Sequence, residues 1–295
     1  MGTLAALWGA SYMFIEIAIE DLDDVFIVFA RTLLGALILA PVAVARGAFA
    51  PVRGRLGWLV LIAVIQIAGP FVLITSGQHH VTSSMAGILV ASAPIYIAII
   101  TAFAAKSERL GGWGVVGIVI GIVGVALLFG VDLGGDSDAV FGGLAILLAG
   151  LGYAVGAILA KRRLQDIPPV GVAASIMGLS ALVLLPALPW TVPADAPGLD
   201  AVGAIVALGA GGTGIAFLIF YTLNAEIGPG RASIVAYMAP VFSVFYGVTL
   251  LDEHFTAGTA AGLVLILSGS WLAAEGRAPW QRRVAAAVAP AVTGR

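Results

Sequence analysis

Ten stretches of the chain are apolar on every side rather than along one face. A helix that crosses a bilayer needs about 20 mostly apolar residues, and residues 112–131, GWGVVGIVIGIVGVALLFGV, contain no charged position. A membrane β-barrel would instead alternate apolar and polar positions over segments of about ten residues. The pattern therefore predicts an all-α membrane protein. Its ten transmembrane helices are predicted near residues 2–20, 25–45, 57–77, 81–104, 112–131, 141–160, 170–190, 201–222, 228–250 and 257–274.

The overall composition favours the same class. The chain has 295 residues, of which 61% are hydrophobic and 10% charged, whereas soluble domains carry about 25% charged residues. The first apolar run lacks a basic segment before it and ends in the acidic EDLDD. We interpret this run as a retained helix rather than a cleaved signal peptide, and we expect a multi-pass protein of the plasma (inner) membrane.

Basic residues are distributed unevenly among the predicted loops. Thirteen of the 14 Lys and Arg residues fall in the connections after helices 2, 4, 6 and 8 or in the C-terminal tail. The connections after helices 1, 3, 5, 7 and 9 contain none. Because cytoplasmic loops carry the excess of Lys and Arg, both termini are predicted to be cytoplasmic.

The second half of the chain repeats the first. Pro41 and Gly69 recur as Pro186 and Gly214, each displaced by 145 positions. The segment APIYIAIITAFAAKSERL, from Ala93, recurs as APVFSVFYGVTLLDEHF, from position 239. An odd number of helices per repeat makes the second copy enter from the opposite side, and its tail has accordingly lost the basic residues. We predict two inverted five-helix repeats, 1–135 and 136–276, followed by a cytoplasmic basic tail, 277–295, at the membrane surface.

Inverted repeats are typical of transporters, because two copies related by an axis in the membrane plane can open a central site to either side in turn. A duplication that only builds a stable bundle is the alternative. The repeat alone does not distinguish a transporter from a stable bundle without a transport role. The remaining features of the sequence decide which interpretation we favour.

Several motifs resemble the EamA-type branch of the drug/metabolite transporter superfamily. They are LWGASYMFIEIAIEDL in helix 1, VFARTLLGALILAP in helix 2, the Ala-Pro pairs of helices 4 and 9, and SERL or DEHF before a glycine-spaced final helix. The resemblance covers nearly the whole chain. It implies a secondary carrier, commonly an exporter of metabolites or amino-acid-like compounds, with a central cavity between the repeats. This sequence departs from the family at Glu16, where members often carry Lys.

Two charged residues stand out within the predicted helices. A charge inside a bilayer is costly and commonly marks a substrate or proton pathway. Glu16 and Arg31 lie at similar depths near the ends of helices 1 and 2 that the DLDD turn joins, and the sequence allows an ion pair between them. Alternatively, Arg31, which resembles the family's helix 2 arginine, holds helix 2 to a neighbour, and Glu16 alone binds substrate or carries protons.

Polar and aromatic residues within other helices are further candidates for a small-molecule pocket, which needs apolar walls and a few placed polar groups. Packing or interface anchoring is the alternative for each, since Trp and Tyr favour membrane interfaces. These candidates are Trp8, Tyr12, Gln66, Tyr96, Tyr153 and Tyr237.

Proline and glycine suggest where helices bend and meet. Pro94 and Pro240 lie inside predicted helices 4 and 9, where each removes a backbone donor, so both are candidate hinges; an architectural kink is the alternative. Small-residue faces at Gly117 and Gly121 in helix 5 and at Gly262 in helix 10 allow close packing of helices, either within the chain or at a dimer face. We expect a monomer or a weak homodimer.

The sequence also narrows the possible chemistry. There is no Cys, and the adjacent His79 and His80 lack a third zinc ligand. No phosphate-binding G-x-x-x-x-G-K-[ST] loop is present, so ATP-driven transport is not expected. The net charge of -2 gives no reason to expect a nucleic-acid partner. We expect no cofactor and no metal.

Two classes of function remain open. The favoured one is a secondary transporter, an exporter of a small metabolite, amino-acid-like or drug-like solute, with membrane lipid around it and protons as a possible coupling ion. The other is a membrane-embedded enzyme or assembly factor that acts on lipid-linked substrates. That class would need clustered His, Asp or Glu at one membrane face, for which only the acidic DLDD and DSD segments are candidates.

Overall fold

The computed structural model describes residues 1–104, 112–131 and 136–275. Lys106, Glu108 and Arg109 of the first repeated tail, and the predicted basic tail 277–295, lie outside the described residues. The described residues form helices joined by turns and loops and contain no strand. The ten helices are α1 Gly2–Ala18, α2 Asp24–Ala45, α3 Leu56–Gln78, α4a Ser83–Val90 with α4b Ala93–Ala104, α5 Gly112–Val131, α6 Ser137–Arg163, α7 Pro169–Thr191, α8 Leu199–Ile227, α9 Ile234–Leu250 and α10 Ala257–Glu275.

Each predicted apolar stretch is helical at the expected place. Eight of the helices in the described residues are long and apolar enough to cross a membrane. The other two, α1 and α9, are shorter apolar helices of 17 residues each. The short helical turn Pro229–Ala232 precedes α9, and Gly228, at φ 82°, separates it from α8.

The loops without basic residues meet at one end of the bundle. A carboxylate oxygen of Asp21, between α1 and α2, accepts a hydrogen bond of 2.9 Å from the backbone of Gly198, between α7 and α8. Residues that follow α3, precede α6 and follow α9 line one common cavity. We call this end the acidic end. At the opposite, basic end, Arg55 before α3 contacts Asp166 after α6 at 3.2 Å.

The glycine faces of α5 and α10 pack against each other within the chain. A methyl group at Gly269 would lie 2.7 Å from the carbonyl oxygen of Gly117, and one at Gly262 would meet Leu128. Gly121 lies against α4b as well, at Ile95. These small residues therefore bring two helices of one chain together, as the packing interpretation predicts.

Both halves contain a π-helical turn at the same place. It covers Ala63–Ala68 in α3 and Ala207–Ile215 in α8, and the displacement of 145 positions places the first range inside the second. Such turns are rare and often occur at functional sites. In α3 the turn ends at Gly69, whose backbone nitrogen donates to the carbonyl of Val64.

The two proline hinge candidates differ from each other. The helix is broken at Ala91 and Ser92, so Pro94 lies in the first turn of α4b rather than inside a continuous helix, a position where its missing donor costs nothing. The sequence interpretation of Pro94 as an internal helix proline is thus corrected. Pro240 does lie inside α9. Whether either proline acts as a hinge stays a prediction.

Candidate functional site

A cavity of about 550 Å³ opens among the helix ends at the acidic end of the bundle. Small-molecule sites usually enclose about 300–1,000 Å³. Four carboxylates and all three histidines of the chain line the cavity. The described lining residues are Glu16, Gln78, His79, His80, Val81, Thr82, Ser84, Met85, Asp136, Ala139, Asp252, Glu253, His254, Phe255, Thr256 and Thr259.

Glu16 is held by an amide from the neighbouring helix. The side-chain nitrogen of Gln78, in the last turn of α3, donates to a carboxylate oxygen of Glu16 at 3.0 Å and to the backbone carbonyl of Tyr12 at 2.9 Å. Gln78 is 2% exposed, whereas Glu16 is partly buried. The amide thus joins α1 to α3 and fixes the carboxylate of Glu16 at the wall of the cavity.

Glu253 connects the second half of the chain to the first. Its two carboxylate oxygens accept from the backbone nitrogens of Ser83, at 2.8 Å, and Ser84, at 3.1 Å. These nitrogens open helix α4a, where backbone donors have no partner inside the helix and favour negative charge. Asp252 precedes Glu253 at φ 54°, and this left-handed turn directs the chain back toward α4a.

A second contact between the halves lies beside this cap. The hydroxyl of Ser243, in α9, donates to the backbone carbonyl of Ser83 at 2.9 Å. Gly87 lies between Ser243 and the ring of Tyr12, so the absence of a side chain lets α1, α4a and α9 approach closely. These contacts therefore join the two halves beside the cavity.

Arg31 does not pair with Glu16, so the ion pair that the sequence allows is wrong. The Nε of Arg31 donates to the hydroxyl of Thr213 at 2.9 Å, and its guanidinium lies 3.8 Å from the ring centre of Phe71. Arg31 is only 8% exposed. It points from α2 toward α8 and α3, while Glu16 points from α1 toward the end of α3, because the two side chains leave their antiparallel helices on different faces.

Two of the aromatic candidates, Tyr12 and Tyr153, lie close enough to Arg31 to interact with it electrostatically, whereas the others lie elsewhere. Tyr153 packs edge-on against Phe71 with ring centres 6.4 Å apart, which places it beside Arg31. Trp8 lies in an aromatic cluster with Phe217 and Phe220 of α8, at 6.2 and 5.3 Å.

The remaining polar candidates pack within helix contacts. Gln66 lies against Gly156 of α6, and Tyr96 lies against Gly150 of the same helix. Tyr237 is partly buried at the start of α9. Of the eight substrate or coupling candidates, the structure therefore joins Glu16 to the backbone of Tyr12 through Gln78. It also places Tyr12 and Tyr153 near Arg31.

The two adjacent histidines have different surroundings. The Nε2 of His79 lies 2.8 Å from a carboxylate oxygen of Asp24, at the start of α2. His80 packs edge-on against Phe141 of α6, with ring centres 6.5 Å apart. Within the described residues no group of three or more His, Cys, Asp or Glu could hold a metal ion.

Sequence reasoning missed three residues that organise the site. The candidates from the sequence do not include Gln78, an amide at a helix end next to a predicted loop. They do not include Glu253 or Thr213 either. The one sequence signal for Glu253 is its correspondence to Glu108 in the repeat; partners separated by more than 150 positions leave no local pattern.

A family model describing the EamA-like transporter family matches residues 1–130 and 140–274 of the chain. Curated relatives span most of its length as well. The uncharacterized transporter YoaV of Bacillus subtilis is 24% identical over 281 residues, which are 92% of this chain and 94% of YoaV. The uncharacterized inner membrane transporter YedA of Escherichia coli K12 is 28% identical over 257 residues, which are 85% of this chain and 81% of YedA.

The fold also has a counterpart among solved structures. A protein known from a crystal structure superposes with a TM-score of 0.67 at 23% identity, and the match covers 96% of each chain. At this identity the likeness establishes the fold alone. The family, the relatives and the apolar helices together identify a multi-pass protein of the plasma membrane and support a membrane transporter.

Proposed function

Because the chain belongs to the EamA-like transporter family, we propose that it is a secondary transporter that exports a small metabolite, amino-acid-like or drug-like solute by alternating access. The solute occupies the cavity at the acidic end, and Glu16 recognises its charge or couples its movement to protons. Export is proposed from the resemblance of the sequence motifs to exporters.

The transport mechanism requires two halves that can move against each other, and we propose ten spans in two inverted five-helix repeats. The equivalent π-helical turns of α3 and α8 support this arrangement. The helix neighbours support it too: α1 packs on α9 and α6 packs on α4, while α2 packs on α8 and α7 packs on α3. Exchanging the two halves converts the α1–α9 pair into the α6–α4 pair, and the α2–α8 pair into the α7–α3 pair.

The observation that carries the proposal is that both halves build one cavity around a carboxylate. Glu16 and Gln78 come from the first half, and Glu253 comes from the second. A relative movement of the halves therefore changes the shape of the site and its access, as alternating access demands. We propose that the acidic end faces outward, since the basic loops lie at the opposite end.

The energy source follows from the same features. We propose that the gradient of the solute or of protons drives transport, with Glu16 as the group that exchanges a proton. Carboxylates inside membrane helices commonly serve as proton carriers.

The protein is proposed to work as a monomer, since α5 and α10 use their glycine faces on each other. The names of the relatives point away from an enzyme.

The proposal is tested by comparing the solutes released by cells that express the intact protein, the Glu16→Gln variant or the Glu226→Gln variant at matched membrane abundance. Glu226 is exposed at the basic end of α8 and serves as the control. Selective external enrichment of a solute with the intact and control proteins but not with Glu16→Gln supports export. Identical profiles for all three, in release and in the matching uptake experiment, contradict a transport role of the cavity.

A further inference from the structure

The cavity at the acidic end is surrounded by negative groups. Of its 16 described lining residues, four are Asp or Glu and none is Lys or Arg. The buried cation Arg31 is held elsewhere, by Thr213 and Phe71. The four carboxylates outnumber the three lining histidines, which carry charge only when protonated. A cleft with an excess of one sign of charge concentrates ligands of the opposite sign, so the cavity favours a cation over an anion.

The carboxylates do not all have the same freedom. Glu253 accepts from two backbone nitrogens of α4a, and Asp136 accepts from the backbone of Asp138 at 3.0 Å. The hydrogen bond from Gln78 reaches only the Oε2 atom of Glu16. Glu16 is therefore the lining carboxylate that combines partial burial with an oxygen left for a ligand.

Gln78 presents a buried acceptor that nothing in the described chain satisfies. Its nitrogen donates to Tyr12 and Glu16, which fixes the amide orientation because the flipped amide would place its oxygen against two other oxygens. The Oε1 atom of Gln78 is then buried without a hydrogen-bond partner. A buried polar atom left unpaired is destabilising, so a donor from a ligand in the cavity would be favourable for this oxygen.

Ser84 adds a second unpaired group to the cavity lining. Its hydroxyl is buried without a partner, and the residue is 4% exposed. Gly247 leaves the space in which this hydroxyl and the carboxylate of Glu253 lie side by side. A ligand with several N–H groups can reach both acceptors, whereas a ligand without N–H groups leaves them unpaired.

Part of the cavity wall is apolar. Val81, Met85, Ala139 and Phe255 contribute hydrocarbon surface beside the polar groups, and a methionine side chain adapts to ligands of different shape. The site thus offers one region for a charged donor and another for an apolar group.

We propose that this cavity binds a protonated primary amine that carries an apolar group. Its ammonium lies against Glu16 and donates to Gln78 Oε1 and Ser84 Oγ, and its apolar part packs on Met85 and Phe255. The inference rests on the proposed function, because it names the substrate class of the same site. The three N–H donors of a primary ammonium distinguish it from a quaternary ammonium, which carries the same charge without a donor.

The test measures binding to the purified full chain with n-butylammonium, n-butyltrimethylammonium, butyrate and 1-butanol. Binding is expected to be tightest for n-butylammonium, weaker for n-butyltrimethylammonium, and weakest for butyrate and 1-butanol. Glu16→Gln is expected to weaken n-butylammonium binding by about tenfold or more, since a hydrogen bond to a charged group is lost. Glu20→Gln, an exposed carboxylate one turn beyond, leaves binding unchanged.

Ser84→Ala provides a second variant in case Glu16→Gln does not fold, because it keeps the backbone nitrogen that binds Glu253. This variant is expected to bind n-butylammonium more weakly and to bind n-butyltrimethylammonium as tightly as the intact protein does. Butyrate or butanol binding as tightly as n-butylammonium overturns the inference, as does unchanged binding in both variants.

The two proposals fail in different ways. Binding of n-butylammonium without any Glu16-dependent solute release supports the site assignment and contradicts transport. Export of an acidic or neutral solute without n-butylammonium binding supports transport and overturns the amine inference.

Discussion

The side-chain nitrogen of Gln78 lies 3.0 Å from a carboxylate oxygen of Glu16 and 2.9 Å from the backbone oxygen of Tyr12. One amide therefore links the end of α3 to two turns of α1 and holds the only carboxylate within α1. A carboxylate within a spanning helix is costly unless its polar surroundings are arranged for it. Gln78 is therefore as important to the site as Glu16 itself.

Replacing Gln78 by Met should lower solute release severalfold while keeping side-chain volume, because Glu16 and the carbonyl of Tyr12 lose their shared donor. The melting temperature of the purified protein should fall slightly, since one lost hydrogen bond costs about 1 kcal/mol. The matched control is Gln66→Met on the same helix, which packs against Gly156 outside the cavity lining. Equal losses of release in both variants would show that Gln78 has no special role.

The contact between Arg31 and Thr213 should stabilise the fold. Thr213→Val removes the acceptor and leaves the Nε of a buried guanidinium unpaired, which should cost about 1–3 kcal/mol of unfolding free energy. Thr222→Val, on the same helix and exposed, should cost much less. A double-mutant cycle with Arg31→Met, read by thermal unfolding in detergent, should give a positive coupling energy. Additive losses would argue against the contact.

Glu253→Gln should destabilise the contact between the halves, because an amide replaces the negative charge that accepts from the first backbone nitrogens of α4a. Caps and charges at a helix start contribute about 0.5–2 kcal/mol. Hydrogen exchange of α4a should accelerate in the variant, while exchange in α5 stays the same. Glu226→Gln, exposed at the other end, serves as control, and equal exchange of α4a in both variants would contradict the cap.

Gly269→Ala should separate α5 from α10. The added methyl group would lie 2.7 Å from the carbonyl oxygen of Gly117, and overpacking of this kind costs about 1–3 kcal/mol. Gly130→Ala, in α5 with no atom within 4 Å of the added methyl group, should leave the melting temperature nearly unchanged. Monomers throughout, together with a lower melting temperature for Gly269→Ala alone, would confirm that these glycines act within the chain.

The helices and their ends were predictable from sequence because the apolar runs and the uneven distribution of Lys and Arg are local, repeated signals. The break before Pro94 was not predictable from the sequence. In an apolar run, a proline at the start of a helix has the same sequence surroundings as a proline inside a helix. The π-helical turns at Ala63–Ala68 and Ala207–Ile215 also leave no clear pattern.

Within the site, Glu16 was found because a charge in an apolar helix is conspicuous. The direction of the Glu16 side chain could not be found from the sequence, because this direction depends on the position of Gln78, 62 residues away in the chain. The same holds for Arg31 and Thr213, which are 182 positions apart. Depth in the membrane can be counted along the chain, whereas the facing side of a helix is set by the packing of its neighbours.

Solute flux in proteoliposomes without ATP, with the solute that the release comparison identifies, measures transport by the protein alone. The intact protein and Glu226→Gln should carry this solute down its gradient, and Glu16→Gln at equal protein density should reduce the initial rate at least about tenfold. Equal rates with the intact protein and Glu16→Gln would show that this carboxylate, held by Gln78 in a cavity built by both halves, does not form the transport site.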